Sequence, residues 1–229
     1  MSLPETTCWT LIEAAAAGDS GARGAFTGLY LDVVRGYLES RWRSLPARQR
    51  VDDAVQDVFF ECFRQGGPLD RVDRCGAAGF RSFLHAIVRH VALRHEEKSR
   101  LQARRLGGEA ADVEALPAAE ASTSEVFDRA WARAVLRRAR DRQRQAAGDD
   151  AEAQLLVRIL DARFAEDLPI RVIAERIDRP ADQVHGLYRR AREDFKRALR
   201  EEVAFHGNAD PAEIERECLR ILGMLRVDS

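Results

Sequence analysis

LPIRVIAERIDRPADQVHGLYRRAREDFKRAL, residues 168–199, reads as a short helix, a tight turn and a longer Arg-rich helix. Ile170, Ile173, Ala174 and Ile177 recur at helical spacing on the first segment, and Val184, Leu187, Tyr188, Ala191 and Phe195 do so on the second, so each helix has one face to bury. Between them Asp178 is a residue type that enters the left-handed conformation ending a helix, and Pro180 suits the first turn of the next, where its missing N–H costs nothing. Two helices joined this way pack at a steep angle. The second then presents Gln183, His185, Gly186, Arg189 and Arg190 outward, with Arg192, Lys196 and Arg197 further along and Arg179 in the turn. Such side chains suit base edges first and phosphates later. An isolated Arg-rich helix is more often a solvated, salt-bridged surface. Here the preceding short helix and the turn chemistry favour a helix-turn-helix, with DNA as the expected partner.

Composition narrows the class. The chain has 229 residues and only 7 % aromatics, so its core is expected to be mostly aliphatic. No run alternates with period two, whereas Ala, Leu, Arg and Glu fill long segments, so the expected fold class is all-α. The formal net charge of −1 argues against a uniformly basic nucleic-acid binder, but charge by segment is the useful quantity. Residues 76–105 hold seven bases (Arg81, Arg89, Arg94, Lys98, Arg100, Arg104, Arg105) against Glu96 and Glu97, whereas residues 106–128 hold acids and no Lys or Arg. Cys8, Cys62, Cys75 and Cys218 form no CxxC pair and read as reduced thiols of a cytoplasmic protein. Cys62 falls on an apolar helix face. No signal peptide or membrane-spanning run is evident, so no membrane partner is expected.

Further organisation follows from periodicity. A first helix over residues 8–17 stops at Gly18, after which Asp19 and Ser20 offer a cap. Phe26, Leu29, Tyr30, Val33, Val34, Tyr37, Leu38 and Trp42 form the long stripe of a second helix. A third, near 51–65, buries Val51, Val55, Val58, Phe59, Cys62 and Phe63 and turns Asp52, Asp53, Gln56, Asp57 and Phe60 the other way. Gly66, Gly67 and Pro68 end it. Residues 69–79 read as a loop leading to a basic helix that begins near Phe80. The run from 106 to 123 is too poor in apolar residues to order itself and is expected to be a flexible acidic linker. Beyond it, Phe127, Trp131, Ala134 and Val135 line a helix from about Ser124. Leu155, Leu156, Ile159, Leu160 and Phe164 face inward on another, and Asp210 and Pro211 open a last helix with Ile214, Cys218, Leu219 and Leu222 on its apolar side. The expected division is therefore a four-helix domain over 1–105, a linker over 106–123, a helix-turn-helix domain over 124–205 and a helical extension over 206–229.

Taken together, these segments resemble the two-domain sigma factors of the extracytoplasmic-function (ECF) type, in the sigma-70 family, and the resemblance spans nearly the whole chain. VDDAVQDVFFECFR (51–64) is similar to the acidic helix of region two; GFRSFLHAIVRHVALRHEEKSR (79–100) resembles the helix that contacts the −10 element; the helix-turn-helix resembles region four, which reads the −35 element. FRSFL with a later His, FDRAWA (127–132) and ADPAEIERECLRIL after the recognition helix resemble one subgroup. The resemblance implies a non-enzymatic protein that binds RNA polymerase core and directs promoter recognition, DNA melting and transcription initiation. It implies core binding by Asp52, Asp53, Gln56, Asp57 and Phe60, with the β′ clamp helices and the β flap as the surfaces met. Arg81, His85, Arg89, His90, Arg94 and Lys98 would contact the −10 element, and residues 70–79 would cup a flipped base. Arg179, Gln183, His185, Arg189, Arg190, Arg192 and Lys196 would contact the −35 element. An anti-sigma factor is admitted among the partners.

No catalytic residue and no cofactor is expected, because P-loop, GxSxG and Cys/His dyad patterns are missing. His85, His90 and His95 step about 140° around a helix every five residues, so no metal site is expected there. The rival reading is a conventional helix-turn-helix regulator that binds duplex DNA as a dimer without polymerase.

Overall fold

The computed structural model describes residues 8–71, 76–105, 120–206 and 210–225, and among these it is helical throughout, without a strand. Helix α1 (Cys8–Ala16) ends at Gly18, whose φ of +96° suits a residue without a Cβ. Asp19 then accepts the Ala22 N–H at 2.6 Å and caps α2 (Ser20–Arg41). A 3₁₀ turn (Pro46–Arg50) leads into α3 (Val51–Phe63), and a second (Pro68–Arg71) precedes α4 (Gly76–Arg105). The remainder comprises α5 (Glu120–Ala147), α6 (Ala151–Phe164), α7 (Ile170–Arg176), α8 (Ala181–His206) and α9 (Pro211–Leu225). Asp150 and Asp210 cap α6 and α9 with their carboxylates, Asp210 as its place before Pro211 predicts.

Two helices start earlier than their sequence signals. Helix α4 begins at Gly76, not near Phe80, because the two alanines after Gly76 continue a long helix at little cost once it is nucleated. Helix α5 begins at Glu120, not Ser124; no Gly or Pro stands between the two to stop it. Residues 106–119 of the expected linker lie outside the described residues, as do 72–75 of the expected base-cupping loop and Cys75 with them.

The core is organised on α2. Phe26, Tyr30, Val33, Val34, Tyr37 and Leu38 are all fully buried, as the stripe predicts. Helices α1, α3 and α4 bring Ile12, Val58 and Leu84 to it, and α5 brings Phe127, Trp131, Ala134 and Val135. The Tyr30 ring stacks on Trp131, centroids 6.0 Å apart, and lies 5.0 Å from Phe80. Leu199 and Val203 of α8 and Cys218 and Ile221 of α9 join the same cluster, so one apolar core runs continuously from α1 to α9. The helix-turn-helix has smaller clusters of its own, built by α6, α7 and the first half of α8.

Two side chains expected inside lie outside. Phe164 is 70 % exposed, because each four-residue step from Leu156 through Leu160 drifts about 40° around α6 and carries it off the buried face. Leu219 is 62 % exposed, because it sits about 100° round from Cys218, and Cys218 with Ile221 sets the buried side of α9.

Among the described residues, two buried glutamates each hold together a network of ion pairs. Glu96, 5 % exposed, accepts hydrogen bonds from Trp42 Nε1 at 2.7 Å and from Arg41 Nε and Nη2 at 2.6 and 3.1 Å. Glu202, 3 % exposed, accepts from Arg138 Nε at 2.5 Å and Arg142 Nη2 at 3.1 Å, with His206 Nε2 at 3.1 Å. Arg138 Nη1 also donates to the Leu29 carbonyl at 2.6 Å. The first network ties α2 to α4; the second ties α5 to α8 and α2.

Candidate nucleic-acid interface

The turn between α7 and α8 has the geometry that its residues predict. Asp178 takes a φ of +50°, its N–H donates to the Glu175 carbonyl at 3.3 Å, and the Arg179 N–H donates to Ala174 at 3.1 Å. This double closure ends α7 and redirects the chain. Beneath it, Ile173, Ala174 and Val184 pack on Ile159 and Ala162 of α6, while Ala191 packs on Leu156 and Leu160. With that face buried, Arg179, Gln183, His185, Arg189 and Arg190 are exposed together at the front of α8. Gly186 stands among them, and a Cβ there would meet no atom within 4 Å. Arg190 already pairs with Glu152 of α6 at 2.5 Å.

Further along α8 the cations are interleaved with acids. Arg192 lies over the Tyr188 ring at 5.8 Å. Lys196 pairs with Glu193 at 2.8 Å, Arg197 with Asp194 at 2.9 Å, and Arg200 with Glu215 of α9 at 2.9 Å. Exposed pairs of this kind contribute little stability, but they offset the local field. The positive, outward part of α8 is its third turn, with Arg189 and Arg190.

On the basic helix the proposed residues fall into two groups. His90, Arg94 and Lys98 are exposed, and Arg94 also reaches Asp57 of α3 at 3.1 Å. Arg81 and His85 are instead under α5 and α9. Arg81 faces Asp128 at 3.5 Å and Glu217 at 3.7 Å. His85 lies against the Phe127 ring, centroids 4.8 Å apart, and edge-on to Tyr37 at 5.8 Å. Burial pushes the His85 pKa down, and although Asp128 pulls the other way, Arg89, Arg41 and Arg81 add to the lowering. Arg89 is half-buried between the two groups.

Helix α3 carries a different surface. Asp53, Gln56 and Phe60 are exposed in one line at helical spacing, Phe60 at 71 %. Asp52 is exposed but bridged to Arg35 at 2.7 Å. Asp57 is turned toward α4, where His95 Nε2 lies 2.9 Å from its Oδ2. The hydrogen bond from His95 lowers its pKa, burial opposes this, and Arg94 lowers it further. A large exposed aromatic on an acidic helix is the uncommon feature here.

Sequence reasoning missed the ion networks around Glu96, Glu202 and Asp128. Their local signals are faint: a Glu and a His four apart on α8, and an acid inside the FDRAWA segment. Among the described residues no group of His, Cys, Asp and Glu could hold a metal ion, and no helix is long and apolar enough to cross a membrane. Cys8, Cys62 and Cys218 are free and buried. No family model matches the chain, and neither a curated protein nor a solved structure matches it.

Proposed function

We propose that this protein is a sigma factor of the extracytoplasmic-function type: it binds RNA polymerase core and directs promoter recognition, DNA melting and transcription initiation. The observation that carries the reading is the pairing, on one chain, of a helix-turn-helix whose front bears Gln183, His185 and Arg189 with a separate acidic helix whose exposed centre is Phe60. The first suits duplex DNA, where Arg and Gln pair with base edges in the major groove. The second repels DNA and suits a basic protein surface, with an aromatic anchor of the kind that dominates interfaces. A regulator that needs only DNA has no use for it. The exposed His90, Arg94 and Lys98 of α4 add a second cationic strip, suited to drawing in the backbone of a melted strand.

On this reading the core polymerase aligns α4 and α8 on two promoter elements, so two weak sites act as one strong one. The test is transcription in vitro: purified protein is added to sigma-free core polymerase with genomic fragments from its source organism, and RNA 5′ ends are sequenced. Discrete start sites preceded by a shared pair of spaced elements are expected. Absence of initiation together with absence of core binding refutes the proposal.

The continuous core favours one alternative, a compact helix-turn-helix regulator acting on duplex DNA without polymerase. That protein would be a symmetric dimer protecting a palindromic site, and footprinting without polymerase separates the two.

A further inference from the structure

Two of the six α4 residues expected to meet the −10 element, Arg81 and His85, are covered from within the chain. Arg81, on the N-terminal half of α4, is only 21 % exposed and faces two carboxylates brought from far along the sequence, Asp128 of α5 and Glu217 of α9. The contacts are long, at 3.5 and 3.7 Å, where a charge-assisted hydrogen bond would close to about 2.8 Å. Arg81 Nη1 is buried and makes no hydrogen bond to any described residue. The nearby His85 Nε2 is likewise buried without such a partner.

Glu217, by contrast, is well served without Arg81. Arg220, one turn along α9, donates Nε and Nη2 to Glu217 at 2.7 and 2.5 Å, and its Nη1 lies 3.6 Å from Asp128. Detaching α9 would leave the Glu217–Arg220 pair intact within the helix. Burial raises the Glu217 pKa against the pull of Arg81, so its seat in the cluster is a costly one for a carboxylate. Helix α9 is held chiefly by a narrow apolar seat, with Cys218 and Ile221 buried while Ile214, Leu222 and Met224 are partly covered.

We propose that α9 is a self-occluding latch: Glu217 takes the place on Arg81 that a nucleic-acid phosphate takes when the protein is active, so single-stranded DNA and α9 compete for one guanidinium. The inference rests on the nucleic-acid role of α4. A phosphate has more acceptor oxygens than the carboxylate and can close the short bond that Arg81 Nη1 lacks. Competition is reciprocal: whatever factor α9 takes from DNA affinity, DNA takes from the closed state of α9.

Cys218 supplies the readout of the latch. At 5 % exposure it is shielded while α9 is seated and open to alkylation once α9 lifts. Peptide-resolved alkylation by iodoacetamide is measured on the full chain with and without a fluorescent single-stranded oligonucleotide, whose affinity is read by anisotropy. Saturating oligonucleotide is expected to speed Cys218 alkylation by on the order of tenfold, with Cys8 and Cys62 unchanged. Ile221→Ala, which loosens the seat, is expected to speed it without DNA and to tighten oligonucleotide binding by a similar factor. That gain should vanish when Arg81→Gln is added, and Leu219→Ala, on the exposed side of α9, should change neither quantity.

Release of Cys218 by Ile221→Ala with no gain in affinity, or a gain that survives Arg81→Gln, overturns the latch and leaves α9 a structural cap. If Ile221→Ala disturbs folding, as judged by circular dichroism, the oligonucleotide effect on wild-type Cys218 decides alone, and an unchanged rate at saturation overturns the proposal. Absence of oligonucleotide binding by every form at low salt refutes the nucleic-acid role of α4 itself. That result is distinct from a latch that opens without consequence.

Discussion

Glu202→Gln should make the protein less stable at neutral pH and remove a defined part of its acid sensitivity. Burial pushes the Glu202 carboxyl up, but the hydrogen bond from His206 and the charge of Arg138 outweigh it, and its pKa falls from 4.5 to about 2. A carboxyl depressed in the folded state contributes stability that is complete above its unfolded pKa and is lost as pH falls from 4.5 toward 2. A shift of that size corresponds to about 3 kcal/mol, of which about 2 kcal/mol is gone by pH 3. The substitution also strands Arg138 and Arg142 beside a neutral amide, so a loss at pH 7 of at least about 3 kcal/mol is expected. For a chain of this size that lowers Tm by roughly 6–12 °C. Urea denaturation followed by circular dichroism at pH 7, 5, 4 and 3 measures both curves. The wild type should fall toward the variant by about 2 kcal/mol between pH 5 and 3. Parallel curves would refute the argument, because they would mean that this carboxylate is not held charged by the α5 arginines.

Three further predictions follow from single residues. Phe60→Ala should weaken binding to core polymerase by roughly 30-fold or more, as loss of an aromatic anchor does, and should leave Tm within about 2 °C because the ring is solvated; a large Tm change, or unchanged core affinity, counts against the docking role. Gly186→Ala should stabilise the fold by up to ~1 kcal/mol through helix propensity, since a Cβ meets nothing within 4 Å, yet it should weaken duplex binding by crowding the face between His185 and Arg189, as a titration against promoter duplex would show. At Asp178, whose φ is +50°, Gly should be tolerated or mildly stabilising, whereas Val should cost at least ~1 kcal/mol, and urea midpoints give the order.

What was legible in the sequence is what a few neighbouring residues decide. Asp178 and Pro180 announced the turn, Asp19 and Asp210 each cap the helix that follows them, and the stripe on α2 is buried from Phe26 to Trp42 except at the half-buried Leu29. Each of these signals acts within one or two turns of chain. Phe164 and Leu219 escaped because a period of 3.6 fixes only the direction of a face; where the neighbouring helix stops is set elsewhere. Arg81 and His85 escaped for a different reason. On a helical wheel they are polar positions of a basic helix, the same as His90 and Lys98, and nothing local distinguishes a cation that meets water from one that meets a carboxylate 136 residues away. The candidate site was therefore legible as residue types, but which cations face outward was set by tertiary packing.

That distinction also explains how a chain of net charge −1 can carry a nucleic-acid surface. Its arginines serve two purposes. Arg41, Arg138 and Arg142 are bound to buried carboxylates and hold helices together, while Arg179 and Arg189 stand at the front of the helix-turn-helix. Between these extremes lie cations such as Arg94, Arg190 and Arg81, already paired with Asp57, Glu152 and Glu217, for which a phosphate must displace an acid. On the proposed function each displacement subtracts from the affinity that a bare cation would supply, so binding by the free chain is expected to be weak. A partner that holds both α4 and α8 against one DNA supplies the missing affinity through effective concentration. On the proposed function, the neutrality that first argued against nucleic acid is what makes recognition depend on the polymerase.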